Sequence, residues 1–355
     1  MTEIYFDGRF INPTSPDGIT RFSIGLIGEL NQLEPITVLV SDASQIQLLP
    51  SKIKTLMVNE PTSARELTLA TRLNKTGVKV LFSPMQTTSS LGRKFKLVLT
   101  LHDMIYYRHR KPPAGFSALV RLGWYLFHLT YIPQRLVLNR ADLVVSVSKT
   151  SKKQIQQARL SKRPVEVIYN AGTSQDIKPR TAPESKDIVY MGSFIDYKNV
   201  EFLVRAMSQL VGYRLILLSR ISQDDRKRLE GLVDPNGGEV IFKNGVTEVE
   251  YQKYLATSFA LVSASKDEGF GIPLVEAMSH GLPVVVSAIE IFREVASTAG
   301  LYFDNEQIAE FVEKIHSLED PKLWEMHSNL GVDRVREFSW VTSAAKLHQI
   351  LKSLT

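Results

Sequence analysis

The strongest constraint on this chain is the recurrence of short, continuously apolar, β-branched runs separated by segments with helical spacing. In the first half these runs are EIYFD, ITVLVS, KTLMV, KVLFS, KLVLTLHD, DLVVSVS and VEVIYN. In the second half they are DIVYMGS, YRLILLS, EVIFKN, FALVSA, PVVVSA and GLYF. Most do not alternate apolar with polar residues. A strand without alternation is buried on both faces, as happens when helices cover both sides of a parallel sheet. Strand–helix alternation of this kind predicts the α/β class, with two doubly wound parallel-sheet units. The length agrees, because 355 residues exceed the size at which one core stops growing.

The break between the units is expected at TSQDIKPRTAPESK, residues 173–186, which holds two prolines, many polar residues and no periodicity. That gives a first domain over 1–172, a linker over 173–186 and a second domain over 187–340. A last helix over 341–355 has the option of packing back on the first domain, and the sequence leaves that open.

Composition narrows the class. Hydrophobic residues make up 44% and charged residues 23%, as in ordinary globular proteins. There is no cysteine, which removes disulfides, thiolate metal sites and a cysteine nucleophile. The start, MTEIYFDGRF, lacks the basic and apolar regions of a signal peptide. No run approaches the ~20 apolar residues of a spanning helix. The expected location is cytoplasmic, with a peripheral position at the cytoplasmic membrane face as a further option.

The net charge is +6, from 43 basic and 37 acidic residues. Its distribution is uneven. From Met104 to Ala141 there is no acidic residue, while Arg108, Arg110, Lys111, Arg121, Arg135 and Arg140 fall there among seven aromatic residues. Residues 105–140 therefore fit an anionic membrane surface or a lipid-linked phosphate. The alternative is that Leu119, Leu122, Leu126 and Leu129 form one core stripe of a helix and the cations its solvated face. Nothing in the stretch matches a nucleic-acid-binding module. No G-x-G-x-x-G follows the first strand, which disfavours a dinucleotide-dependent dehydrogenase.

In open α/β sheets, ligands bind beyond the carboxyl ends of the strands. The most informative such loop is SASKDEGFGIPLVEAMSHGLPVVVS, residues 263–287. Glu268-Gly269-Phe270-Gly271 reads as a tight turn open to close backbone approach. Pro273 suits a helix start, and Gly281 a left-handed cap. The free amides of Gly269, Phe270 and Gly271 at a helix N-terminus attract oxygen acceptors or anions. Glu276 can bridge the two hydroxyls of a ribose, and Glu268 can accept from a sugar hydroxyl. Taken singly, Glu276 could merely complement the helix dipole and Glu268 could be a solvated turn residue. Together the features describe a nucleotide-sugar site. Other strand exits to watch are Gly18, His102-Asp103, Asn170-Ala171-Gly172, Gly192-Ser193 and Asn244-Gly245.

With its E-x(7)-E block, Glu268 to Glu276 in EGFGIPLVE, the chain resembles glycosyltransferase family 4, the retaining, nucleotide-sugar-dependent transferases of GT-B fold. Weaker matches follow in order: DGITRF, LTLHD, VVSVSKTSKKQI, VIYNAG, MGSFIDYKN and FSW. The resemblance implies two Rossmann-like domains facing a central cleft, with the acceptor on the first domain and the nucleotide sugar on the second. It implies that Glu268 holds the transferred sugar with the amides of Gly269 to Gly271, and that Glu276 binds the ribose. Lys198 neutralises the diphosphate, His102 hydrogen-bonds a donor sugar hydroxyl, and Gly18 leaves room near the diphosphate. The family usually adds an arginine where this chain has Ser193 or Tyr197. Arg220, on the next strand's exit loop, is either its substitute or a solvated cation. Tyr254 and Ser265 contact the base or phosphate, or serve packing and capping.

No metal cluster or Asp-x-Asp occurs, so charge stabilisation is expected from Lys198 and amide dipoles, with no metal and no cofactor beyond the donor. The expected activity is transfer of a hexose (mannose, glucose or an N-acetylhexosamine, for example) to a glycan or glycolipid in envelope or polysaccharide synthesis. The alternatives are a non-catalytic nucleotide-sugar-binding subunit and, less so, a nucleotide-sugar 2-epimerase, a class that lacks this E-x(7)-E arrangement.

Overall fold

The computed structural model describes residues 3–14, 17–112, 117–172 and 178–355, and it divides into two compact units. The first comprises residues up to Asn170 together with Ser339–Thr355; the second is Ala171–Phe338. Both are α/β, and every strand pair is parallel.

The first unit holds β1 (Ile4–Asp7), β2 (Thr37–Val40), β3 (Lys54–Met57), β4 (Val80–Ser83), β5 (Lys96–Thr100), β6 (Leu143–Ser146) and β7 (Val165–Val167). Their order is β3-β2-β1-β4-β5-β6-β7. The second holds β8 (Asp187–Tyr190), β9 (Arg214–Leu217), β10 (Glu239–Phe242), β11 (Ala260–Ser263), β12 (Val284–Ser287) and β13 (Gly300–Phe303), ordered β10-β9-β8-β11-β12-β13. Every apolar run read from the sequence is one of these strands. The central strands are buried on both faces, whereas the edge strands β3 and β10 are only partly covered. In each unit the strand order reverses beside the first strand, between β1 and β4 and between β8 and β11. Such switch points open a crevice at the carboxyl edge.

Of the expected linker 173–186, residues 173–177 lie outside the described residues. Residues from Lys178 onward pack into the second unit. The Arg180 amide donates to Ser328 Oγ (2.7 Å), and its guanidinium donates to the carbonyls of Leu255 and Ser258. The final helix, Trp340–Leu354, belongs to the first unit and lies on the helix Gly18–Leu33. The approach is so close that a methyl group on Gly25 would sit 2.4 Å from the Trp340 ring. Glu34 accepts from His348 Nε2 (2.9 Å) and pairs with Lys352 (3.1 Å).

The leucine stripe departs from the core-stripe alternative. Leu119, Leu122, Leu126 and Leu129 fall on the helix Ala118–Leu129, but all four are exposed. Its inward face is aromatic instead, built from Trp124 and His128. Phe116 of the basic aromatic stretch lies outside the described residues.

Candidate functional site

In the second unit the carboxyl ends of β8 and β11 meet at the switch point. After β11 the chain runs through buried Ser265 and Asp267 to Glu268. It then turns through Gly269 and buried Phe270 to Gly271, whose φ of +95° favours glycine. Gly271 caps the helix Ile272–Ser279, with Pro273 in its first turn, where a missing N–H costs nothing. Past the cap residue His280 stands Gly281, at φ +61°, where any side chain would meet the Lys178 carbonyl at 2.7 Å.

After β8 the chain passes Gly192 and Ser193 into a short 3-10 turn, Asp196–Lys198. This turn is tied to the loop after β11 and to the segment after β13. The Lys266 amide donates to the Tyr197 carbonyl (2.7 Å), and Asn199 Nδ2 donates to the Asn305 carbonyl (3.1 Å). Asn199, at φ +54°, uses its side chain for that bond and not for a helix cap. Lys198 Nζ thereby forms an ion pair with Glu268 Oε1, across 70 residues of sequence. Each side chain is 15% exposed. Ser265 Oγ donates to the same carboxylate oxygen at 3.2 Å, and the Tyr197 ring lies under the ammonium at 5.5 Å. A largely shielded ammonium beside a helix N-terminus suits an anion with several oxygens. Burial, with the Glu268 carboxylate close by, pushes the Tyr190 hydroxyl well up, and that hydroxyl donates to the Ser193 carbonyl (2.7 Å).

Glu276 is 1% exposed, and Tyr251 Oη donates to its Oε2 at 2.8 Å. It is therefore a buried, oriented carboxylate. Tyr251 sits buried on the helix Glu248–Thr257. Sequence reading named its neighbour Tyr254 and missed Tyr251, since nothing in EVEYQKYLAT distinguishes a tyrosine that packs from one that donates to a carboxylate. His280 Nδ1 donates to the Glu276 carbonyl (2.9 Å), and burial lowers the pKa of that imidazole.

The structure thus brings Lys198, Glu268, Ser265 and the Gly269–Gly271 turn together, with Glu276 one turn inside the following helix. Ser193 is exposed on the β8 exit loop. Arg220 is exposed beyond β9, its side chain passes over Gly245, and it forms no ion pair among the described residues.

His102 and Gly18 belong to the first unit. His102 follows β5. Its Nε2 donates to the Pro84 carbonyl (2.8 Å), and the Phe22 ring meets it edge-on at 5.3 Å. Burial holds its pKa down, so the imidazole is neutral near pH 7 and Nδ1 is left as an acceptor. Its neighbour Asp103 accepts from the Ile105 amide at 2.9 Å, a local turn bond. Gly18 is the exposed first residue of the helix Gly18–Leu33, and Asp17 caps that helix through the Thr20 amide (2.8 Å).

A family model described as Glycosyltransferase Family 4 matches residues 65–171, and one described as Glycosyl transferases group 1 matches residues 173–331. Together they span about three quarters of the chain. Among curated relatives, an O-antigen chain mannosyltransferase of Salmonella typhimurium is 28% identical over 226 residues. The match covers 62% of this chain and 60% of that relative's length. Sucrose-phosphate synthase from Thermosynechococcus elongatus superposes with a TM-score of 0.76 at 19% identity, covering 100% of this chain and 99% of that one. HepE of Anabaena, solved with UDP and glucose, superposes with a TM-score of 0.74 at 18% identity, covering 99% and 100%. At these identities the two structures speak to the fold, which is GT-B.

Proposed function

The chain belongs to glycosyltransferase family 4, and on that premise we propose that it transfers a hexose from a nucleoside-diphosphate sugar to a glycan or glycolipid acceptor of polysaccharide or cell-envelope synthesis. The observation that carries this reading is the Lys198–Glu268 pair beside the Gly269–Gly271 turn, with buried Glu276 one helical turn further on. A diphosphate replaces Glu268 as the partner of Lys198, and the freed Glu268 carboxylate accepts from hydroxyls of the transferred sugar. The amides of Gly269 to Gly271 add donors at the helix start. Glu276, oriented by Tyr251, takes the ribose diol. On the first unit, His102 offers Nδ1 to a sugar hydroxyl.

In the reaction the bond from the anomeric carbon to the diphosphate oxygen breaks, and a bond from that carbon to the acceptor oxygen forms. The acceptor proton passes to the departing phosphate oxygen, with retention of configuration. Lys198 and the amides stabilise the developing charge, so the reading requires no divalent ion. Mannose is the first sugar to test, because the Salmonella relative is a mannosyltransferase.

The test is a thermal-shift panel of UDP, GDP and ADP with their sugar conjugates, GDP-mannose and UDP-glucose foremost, in chelator. Stabilisation by one nucleotide, lost in Glu276→Ala, followed by sugar transfer to a glycan acceptor, is the expected result. Absence of any nucleotide shift overturns the site. The arginine usual in this family is replaced by Ser193 and Tyr197, so binding without turnover over a range of acceptors would identify a non-catalytic sugar-nucleotide subunit instead.

A further inference from the structure

The helix Ala118–Leu129 has two apolar faces. One packs inward, where Trp124 and His128 lie with centroids 4.1 Å apart, tilted by 33°, and meet Tyr106 and Tyr107 at 5.0 and 5.1 Å respectively. The other is aliphatic and bare. Leu119, Leu122, Leu126 and Leu129 recur at helical spacing and are 82%, 54%, 55% and 38% exposed. Ile132 and Leu136 of the helix Ile132–Leu138 extend this surface at 59% and 61%. Exposed leucines grouped on one face of a surface helix mark an interaction surface.

Charge identifies what it meets. Between Met104 and Val165 stand twelve lysines and arginines and one acidic residue, Asp142. Asp142 is already paired with Arg93 (2.7 Å) and Lys96 (3.6 Å). Packing gathers several of these cations around the helix Ile132–Leu138 that follows the leucines. Arg135 donates to the carbonyls of Ala158 (2.8 Å) and Arg159 (3.1 Å), and the Lys162 amide donates to Asn139 Oδ1 (2.7 Å). Exposed Arg159, Lys162 and Arg163 therefore flank the helix Ile132–Leu138, and exposed Arg121 sits on the leucine helix itself.

We propose that the helix pair Ala118–Leu138 docks in the plane of an anionic bilayer. The leucines enter the acyl boundary, and Arg121, Arg159, Lys162 and Arg163 meet the headgroup phosphates. Among the described residues no helix is long and apolar enough to cross a membrane, so the pair lies on the surface. A second copy of the chain is a poor occupant, because two cationic rims would face each other. A nucleic acid is poorer still, because Leu119, Leu122, Leu126, Ile132 and Leu136 make this exposed surface largely aliphatic, and a phosphate backbone gains nothing from it.

This docking stands apart from the transfer reading, because it is measured with neither donor nor acceptor. The full chain is sedimented with phosphatidylcholine vesicles with and without phosphatidylglycerol. Binding only to the anionic vesicles, weakened by salt, is expected. Leu122→Ser/Leu126→Ser and Arg121→Glu/Lys162→Glu should each weaken it about tenfold or more, with unchanged melting temperatures. Equal recovery on neutral and anionic vesicles, no recovery on either, or unaltered binding by both variants would overturn the proposal. So would a dimer in sedimentation velocity that the leucine variant abolishes.

Discussion

Replacing Tyr251 with phenylalanine removes one oxygen and leaves the ring in place. That oxygen donates to Glu276 Oε2 at 2.8 Å, from a side chain 1% exposed to a carboxylate 1% exposed. Hydrogen bonds to charged groups contribute roughly 1.5–3 kcal/mol, and water has no ready access to replace this one. The second unit spans residues 171–338, a size at which 1 kcal/mol moves the melting temperature by about 2–4 °C. The expected drop is therefore about 3–12 °C. If Glu276 binds the ribose, its loosened carboxylate also weakens nucleotide binding by about tenfold, the equivalent of roughly 1.4 kcal/mol. Because Tyr251 touches no reacting atom, kcat should change little while KM rises. The assay pairs differential scanning calorimetry with nucleotide titration, and Tyr254→Phe, on the same helix, is the control. A Tyr251→Phe protein that melts within 1 °C of the parent (about 0.3–0.5 kcal/mol) and binds nucleotide equally well would refute the reasoning. A lower melting temperature with unchanged nucleotide affinity would reduce Tyr251 to a structural role.

Lys198→Ala and Glu268→Gln should each lower transfer by about 10²–10³-fold, since both remove charge at the proposed reacting centre; transfer at the parent rate in either would remove the assignment. Gly271→Ala forces a side chain into φ +95° and brings its methyl to 3.0 Å from the Phe292 ring, so a loss of about 1–3 kcal/mol is expected by denaturant titration. Burial lowers the pKa of His327, whose Nδ1 donates to the Ala299 carbonyl at 2.9 Å. The unfolded chain protonates this imidazole first, so its contribution is full above pH ~6.5 and is lost as pH falls towards the depressed folded value. His327→Asn should therefore flatten part of the decline in melting temperature between pH 7.5 and 5.

The sequence by itself determined the strands, the two-sheet class and the outline of the E-x(7)-E loop. Those are local matters. A strand covered on both faces must be apolar at every position, and a turn at φ +95° demands the glycine found at 271. The tertiary structure decided what meets what. Lys198 reaches Glu268 only because the exits of β8 and β11 adjoin at the switch point, a consequence of strand order that no spacing encodes. Tyr251 finds Glu276 through the packing of two helices, and its sequence neighbours do not reveal which tyrosine turns inward. The Trp340–Leu354 helix joins the first unit because Gly25 lets the Trp340 ring approach its backbone. The helix Ala118–Leu129 carries an aromatic and an aliphatic stripe, and helical periodicity scores both alike. Only the ring contacts with Tyr106 and Tyr107 decided that the Trp124–His128 face packs inward and the leucines are left outside.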